Sequence, residues 1–222
     1  MKSMTSIKSF TDRYPFVGPA FWIVSLQFYI TQFVVALAWA SPYSFFQNTI
    51  SDLGNTNCGM YSGRYVCSPL HSYMNTSFVV LGITMIVGGL LIYQEFQKTA
   101  ESLIGFSAMM LAGFGTLLVG LYPENSIGPV HQLGALLPFL IGNAGMVILG
   151  QRLDIPRWLR YYTTTSGSIS LLALVFFSFH VYIGIGIGGM ERIVAHPQTI
   201  WLIVFGAYIS SNHIRSAKTK KS

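Results

Sequence analysis

Charge is what this sequence has least of: Asp, Glu, Lys and Arg make up only 9% of its 222 residues. Ordinary soluble domains carry roughly a quarter, so a water-facing surface of normal size could not be covered. A soluble globular fold is thereby excluded. There are only two cysteines, Cys58 and Cys67, too few for a cysteine-rich zinc module or a disulfide scaffold. No HExxH segment and no Ser in a GxSxG context occurs, so neither a zincin helix nor a nucleophile elbow can be read off. Internal repeats and low-complexity segments are also lacking.

Apolar sequence is abundant, at 52% of residues. It is gathered into runs at Val17 to Trp39, Tyr73 to Tyr93, Leu103 to Leu121, His131 to Leu149, Gly167 to Ile187 and Thr199 to Ile214, none holding Asp, Glu, Lys or Arg. Each is near the roughly 20 residues that cross about 30 Å of hydrocarbon as a helix. The fold class expected is therefore all-α: a polytopic membrane bundle of six transmembrane helices, forming one domain over residues 1–222. The first run is long and lacks a small-residue cleavage site after it, so it reads as a retained helix and not a signal peptide.

The net charge of +6 would raise nucleic acid as a partner if the basic residues formed a patch. Instead they punctuate the ends of the apolar runs, and no nucleic-acid partner is expected. With the amino terminus inside, Lys2, Lys8, Arg13, Lys98, Arg152, Arg157, Arg160, Arg215, Lys218, Lys220 and Lys221 fall on the cytoplasmic side and only Arg64 and Arg192 outside. Cytoplasmic loops retain Lys and Arg, so both termini are expected in the cytoplasm. Residues 40–72 then form one long outer loop between helices one and two. Both cysteines lie in it, on the side where disulfides persist, which favours a Cys58–Cys67 disulfide over two free thiols or a metal pair.

The same topology sends Asp52, His71, Glu124, His131, Glu191, Arg192 and His196 to the outer face. His180 is expected inside helix five, about 12 Å deep at 1.5 Å per residue if that helix ends near Gly188. An ionisable group at such depth is a functional candidate by default, set against a neutral imidazole bonded to a neighbouring helix. The segment from Gly120 through Tyr122, Pro123 and Glu124 to His131 is a proline-bounded turn holding a carboxylate and an imidazole, suited to acid–base work or to metal ligation. The candidate catalytic residues are Asp52, Glu124, His131 and His180, and the candidate ligands of a divalent metal ion are Asp52, His71 and His131. Gln27, Thr31 and Gln32 in the first run call for internal hydrogen-bond partners or a cavity. Gly184 and Gly188 form a GxxxG pair, read with the other small residues as intrachain helix packing. The four tryptophans and the many tyrosines are read as interface belts and packing.

Ile50-Ser51-Asp52-Leu53-Gly54, Cys58, Ser68-Pro69-Leu70-His71, Met74-Asn75, Tyr122-Pro123-Glu124 and His131 together resemble a prokaryotic membrane family catalogued as domain of unknown function nine-nine-eight. The resemblance covers nearly the whole chain. It implies a six-helix protein in the cytoplasmic (plasma) membrane and carries no activity or catalytic residues. More distantly, the Ile-Ser-Asp segment is similar to the eukaryotic Frag-type membrane proteins linked to autophagy modulation and lipid-anchor remodelling.

Three functions compete at this level. An enzyme open to the outer leaflet, acting on a lipid headgroup or lipid-linked substrate, accounts best for the gathered acids and histidines. A non-enzymatic assembly or sensory partner, using the outer loop as an interaction surface, stands almost level with it. A small transporter ranks third, because the inner half holds almost no buried ionisable group and no inverted repeat is visible.

Overall fold

Backbone in hydrocarbon must satisfy its own hydrogen bonds, so apolar runs of this length can only fold as helices. The computed structural model describes residues 2–219, and Lys220 and Lys221, expected on the cytoplasmic side, lie outside them. In chain order the helices are α1 (Lys2–Arg13), α2 (Val17–Val24), α3 (Gln27–Leu37), α4 (His71–Tyr93), α5 (Ala100–Leu121), α6 (Gly128–Leu136), α7 (Asn143–Arg152), α8 (Arg157–Ser178) and α9 (Gly186–Thr219). One hairpin, β1 (Gly59–Tyr61) with β2 (Arg64–Val66), is the sheet among the described residues.

Five stretches are long and apolar enough to cross a membrane: Val17–Leu37, His71–Tyr93, Ala100–Leu121, Gly128–Arg152 and Gly186–Thr219. The fold is thus an all-α polytopic bundle, and the protein is a multi-pass membrane protein. Leu37, Phe33, Ile30 and Leu172 are among the most exposed side chains, which in lipid is their ordinary state. Helix α8 has the length, 22 residues, but Arg157, Arg160 and the polar stretch Thr163–Ser166 make it less apolar.

Close approaches fix the order of the helices. Ser25 Oγ meets Thr84 Oγ1 at 3.2 Å and Gln27 bonds Ser77, so α2 and α3 run antiparallel to α4. Gly82 faces Gly113, and Gly120 faces Asn75, which pairs α4 with α5. Gly115 against Gly134 and Gly145 against Ala108 pair α5 with α6 and α7, and Gly167 against the Asn143 carbonyl adds α8. Trp201 Nε1 donates to Thr163 Oγ1 at 2.8 Å, placing α9 on α8. Tyr29 OH donates to the His196 carbonyl at 3.0 Å and Gly206 faces Pro19, which closes the ring on α2 and α3.

Two of the expected apolar helices are broken. The first divides at Ser25 and Leu26 into α2 and α3. The fourth holds a π-helical segment, Leu137–Gly142, between α6 and α7. Pro138 has no N–H to donate, and side chains take up carbonyls of this widened turn: Asn143 Nδ2 donates to Phe139 O at 2.9 Å and Gln198 Nε2 to Pro138 O at 3.4 Å. π-segments recur at functional sites, and this one lines a cavity described below.

The carboxyl-terminal end of the fifth run departs from expectation. Helix α8 stops at Ser178, and His180 follows it in an exposed turn with φ +58°; it is not an imidazole buried within a helix. Gly184 and Gly186 have φ +83° and +70°, a conformation glycine adopts without strain, and the chain reverses there. Gly184 and Gly188 therefore do not form a helix-packing GxxxG face. Helix α9 starts earlier than the apolar run and takes Glu191, Arg192 and His196 into its first turns.

The tryptophans divide as well. Trp22 and Trp201 are fully buried and meet at 5.1 Å between ring centroids, with Phe106 and Phe205 around them. They form the core, while Trp158 is exposed.

Candidate functional site

The segment between α3 and α4 is ordered by hydrogen bonds to its own backbone and to α9. Tyr43 OH donates to Thr49 O at 2.7 Å, and Asn48 Oδ1 accepts from Ser44 N at 3.1 Å. Arg192 donates to the carbonyls of Phe45, Asn48 and Gly188 at 2.8–2.9 Å. A 3₁₀ turn follows at Ser51–Gly54. Ile50 N, just before it, donates to Glu191 Oε2 at 2.5 Å, and Asn75 Nδ2 holds Gly54 O at 2.9 Å.

The hairpin comes next. Ser62 and Gly63 both have positive φ, +47° and +80°, the two-residue turn whose twist suits a right-handed ribbon. Cys58 and Cys67 are disulfide-bonded at its open end, so the expected pair forms, across a β-ribbon and not an irregular loop. Reduction should lower stability by about 2 to 3 kcal/mol on chain-entropy grounds. Thermal unfolding in detergent with and without reductant reads this directly.

The hairpin delivers Arg64 to Asp52. Asp52 is fully buried, and its two oxygens meet Arg64 Nε and NH2 at 2.6 Å each. Oδ2 also accepts from Thr49 N at 2.9 Å and Asn48 Nδ2 at 3.3 Å. Glu124, in the turn between α5 and α6, accepts from Asn55 Nδ2 at 3.1 Å and lies against the same carboxylate. Burial, and then the negative charge of Asp52, push its carboxyl up to about 9. Glu124 therefore keeps its proton at neutral pH and donates it towards Asp52.

His131 stands in the first turn of α6 and is buried. Its Nδ1 lies 2.8 Å from the Tyr122 carbonyl oxygen, which can only accept, so Nδ1 carries the proton. Nε2 is then an acceptor, and Ser51 Oγ is 2.9 Å from it. Ser51 and His131 are thus a hydroxyl–imidazole pair with the imidazole tautomer fixed from behind, the arrangement an activated nucleophile requires.

Two cavities meet at Ser51, and His131 lines the larger of them. The outer one, about 660 Å³, has mixed walls that bring the charged and polar groups Arg64, Glu124, His131, Gln132, His180 and Glu191 together with apolar ones such as Phe139, Phe177 and Ile187. The inner one, about 50 Å³, is lined mainly by apolar groups such as Phe28, Phe78, Leu81, Met85 and Val119. Ser51, Ala135, Phe139 and Glu191 belong to both walls. The larger volume falls within the usual range of small-molecule sites, about 300–1,000 Å³.

Of the expected catalytic residues, Glu124, His131 and His180 line the outer cavity, and Asp52 supports it through Arg64. His71 does not line it, and its Nδ1 is buried without a hydrogen-bond partner. Among the described residues no three His, Cys, Asp or Glu side chains are gathered as a metal centre would need. The expected ligand set of Asp52, His71 and His131 therefore does not describe the arrangement: Arg64 already occupies both Asp52 oxygens. Gln27 finds its partner in Ser77, and Gln32 Oε1 meets His196 Nε2 at 3.3 Å while the buried Gln32 Nε2 has no hydrogen-bond partner.

Sequence reasoning passed over Ser51, Arg64 and Glu191 as site residues. Ser51 and His131 are 80 positions apart, so no spacing joins them. The available signal was Ser51's place in the Ile-Ser-Asp-Leu-Gly segment that carries the family resemblance.

No curated protein and no solved structure matches the chain. The family described as "Protein of unknown function (DUF998)" matches residues 22–208, from the core tryptophan of α2 to the last turns of α9 and across Ser51, His131 and both cavities; the chain belongs to that family.

Proposed function

We propose that this protein is a membrane-embedded enzyme acting by acid–base chemistry, with His131 as the base, on a lipid or lipid-linked substrate at the outer leaflet of the plasma membrane. One observation carries the reading: an imidazole held in a single tautomer by a backbone carbonyl aims its free nitrogen at a hydroxyl where a large cavity holding charged side chains meets a small apolar one. A substrate with a polar head and an apolar tail matches that division of the walls. In this reading the chain crosses the bilayer six times as one domain, with α8 as the additional span and both termini cytoplasmic. The charge distribution supports it, since Arg64 and Arg192 are the two basic residues on the side of the cavity and cytoplasmic loops retain Lys and Arg.

The Asp52–Arg64 pair and Glu124 build the wall of the site, and they position groups instead of reacting. His180, on its exposed turn, borders the mouth.

The test is the lipid composition of proteoliposomes made from a prokaryotic lipid extract, holding the full chain or its His131→Ala variant, with folding checked on each. One lipid class should be consumed, about 10²–10⁴-fold more slowly in the variant. Identical lipid profiles with wild type, variant and empty vesicles would reject the enzyme, and loss of abundance alone on mutation would favour the assembly-partner reading.

A further inference from the structure

Resting on the reading just given, we infer that Ser51 is a covalent nucleophile and that the substrate is an ester joining a short apolar acyl group to a polar alcohol. Position comes first. Ser51 is shared by both cavities, so it stands where the small apolar cavity meets the large one that holds the charged side chains. An ester carbonyl occupies the same place in a molecule that has a polar alcohol on one side and a hydrocarbon acyl group on the other. The inner cavity, about 50 Å³, has room for several water-sized groups, each needing roughly 10–15 Å³ by the same measure. That admits a few carbons beyond the carbonyl and favours a short acyl group. The outer cavity is more than ten times larger and takes the alcohol.

Activation comes from the hydrogen bonds. With its proton on Nδ1, bonded to Tyr122 O at 2.8 Å, His131 can accept only at Nε2, 2.9 Å from Ser51 Oγ. The Tyr122 carbonyl takes the orienting place that a carboxylate holds in many triads. Ser51 itself opens a 3₁₀ turn whose preceding N–H is held by Glu191 and whose last carbonyl is held by Asn75. The nucleophile is therefore fixed at both ends of its turn.

The step balances with water as the second reactant. Ser51 Oγ adds to the carbonyl carbon as its proton moves to His131 Nε2. The carbon–oxygen bond to the alcohol breaks, and His131 returns the proton to that oxygen. Water then adds to the acyl carbon with His131 again taking a proton, the bond to Oγ breaks, and Oγ recovers its hydrogen while a carboxylic acid leaves.

The experiment treats the detergent-purified full chain with an alkyl fluorophosphonate, a probe that phosphonylates activated serines, and maps the adduct by peptide mass spectrometry. A single adduct on Ser51 is expected, with labelling at least about 10²-fold slower in His131→Ala and absent in Ser51→Ala. p-Nitrophenyl butyrate should be hydrolysed faster than the palmitate. An unlabelled Ser51 in the wild-type protein, or labelling that His131→Ala leaves at the same rate, overturns the inference. If lipid turnover still depends on His131 while Ser51→Ala retains it, the nucleophile falls and the acid–base reading stands. If neither labelling nor turnover occurs, both fall.

Discussion

Asp52→Ala should destabilise the protein by about 3 to 5 kcal/mol, the usual consequence of removing one partner of a buried ion pair. The carboxylate is fully buried and accepts from Arg64 twice, from the Thr49 amide and from the Asn48 side chain. Alanine leaves all of these donors facing a void. The guanidinium is the costliest of them, because its side chain is only 18% exposed and the disulfide-closed hairpin holds it in place. Glu124 would lose the acceptor to which it donates, and with Asp52 both the negative charge and the hydrogen bond that help raise its carboxyl, so that burial alone would remain. Asp52→Asn keeps the shape and one acceptor oxygen and should lose less. Thermal unfolding in detergent, with the disulfide intact, measures the effect. Adding Arg64→Met to Asp52→Ala should restore part of the loss, because the orphaned charge is gone. A single mutant that melts with the wild type would mean that the pair does not hold the outer segment.

A comparable loss, about 3 kcal/mol at the upper end of the overpacking range, is expected for Gly82→Leu. A Cβ at position 82 would sit 2.5 Å from the Gly113 carbonyl oxygen and 2.8 Å from the Leu117 amide nitrogen. Both are backbone atoms of α5 and cannot rotate aside. The two helices would have to separate, and in lipid their association rests on packing contacts of this kind, without a hydrophobic drive to compensate. Gly128→Ala is the control, since nothing lies within 4 Å of a Cβ there; it should stay within about 0.5 kcal/mol of wild type. Equal melting temperatures for the Gly82 and Gly128 variants would show that the α4–α5 approach is not tight. Both effects can be read from one series of detergent melts, with the Cys58–Cys67 bond verified in each sample.

The sequence by itself determined the solvent, the class of fold and which acids and histidines gather at one end of the bundle. A chain with so few charges and so many apolar runs must meet lipid, and in lipid its backbone must be helical. The positions of Lys and Arg then separate the two ends of the bundle, and the cysteines fall together at one of them. These properties add up along the chain, so they are legible before it folds. Tertiary structure decided which groups meet. Helix α9 begins at Gly186 because Glu191 and Arg192 are bonded by the outer segment; as isolated charges they had marked the end of an apolar run. His180 left its helix because positive-φ glycines turn the chain just beyond it, a choice that depends on where α9 must dock. Trp22 and Trp201 became core and not belt because the ring of helices closes around them. Ser51 met His131 across 80 residues, since a hydrogen bond between two helix ends is set by the packing of the bundle and leaves no periodic trace in the order of the residues.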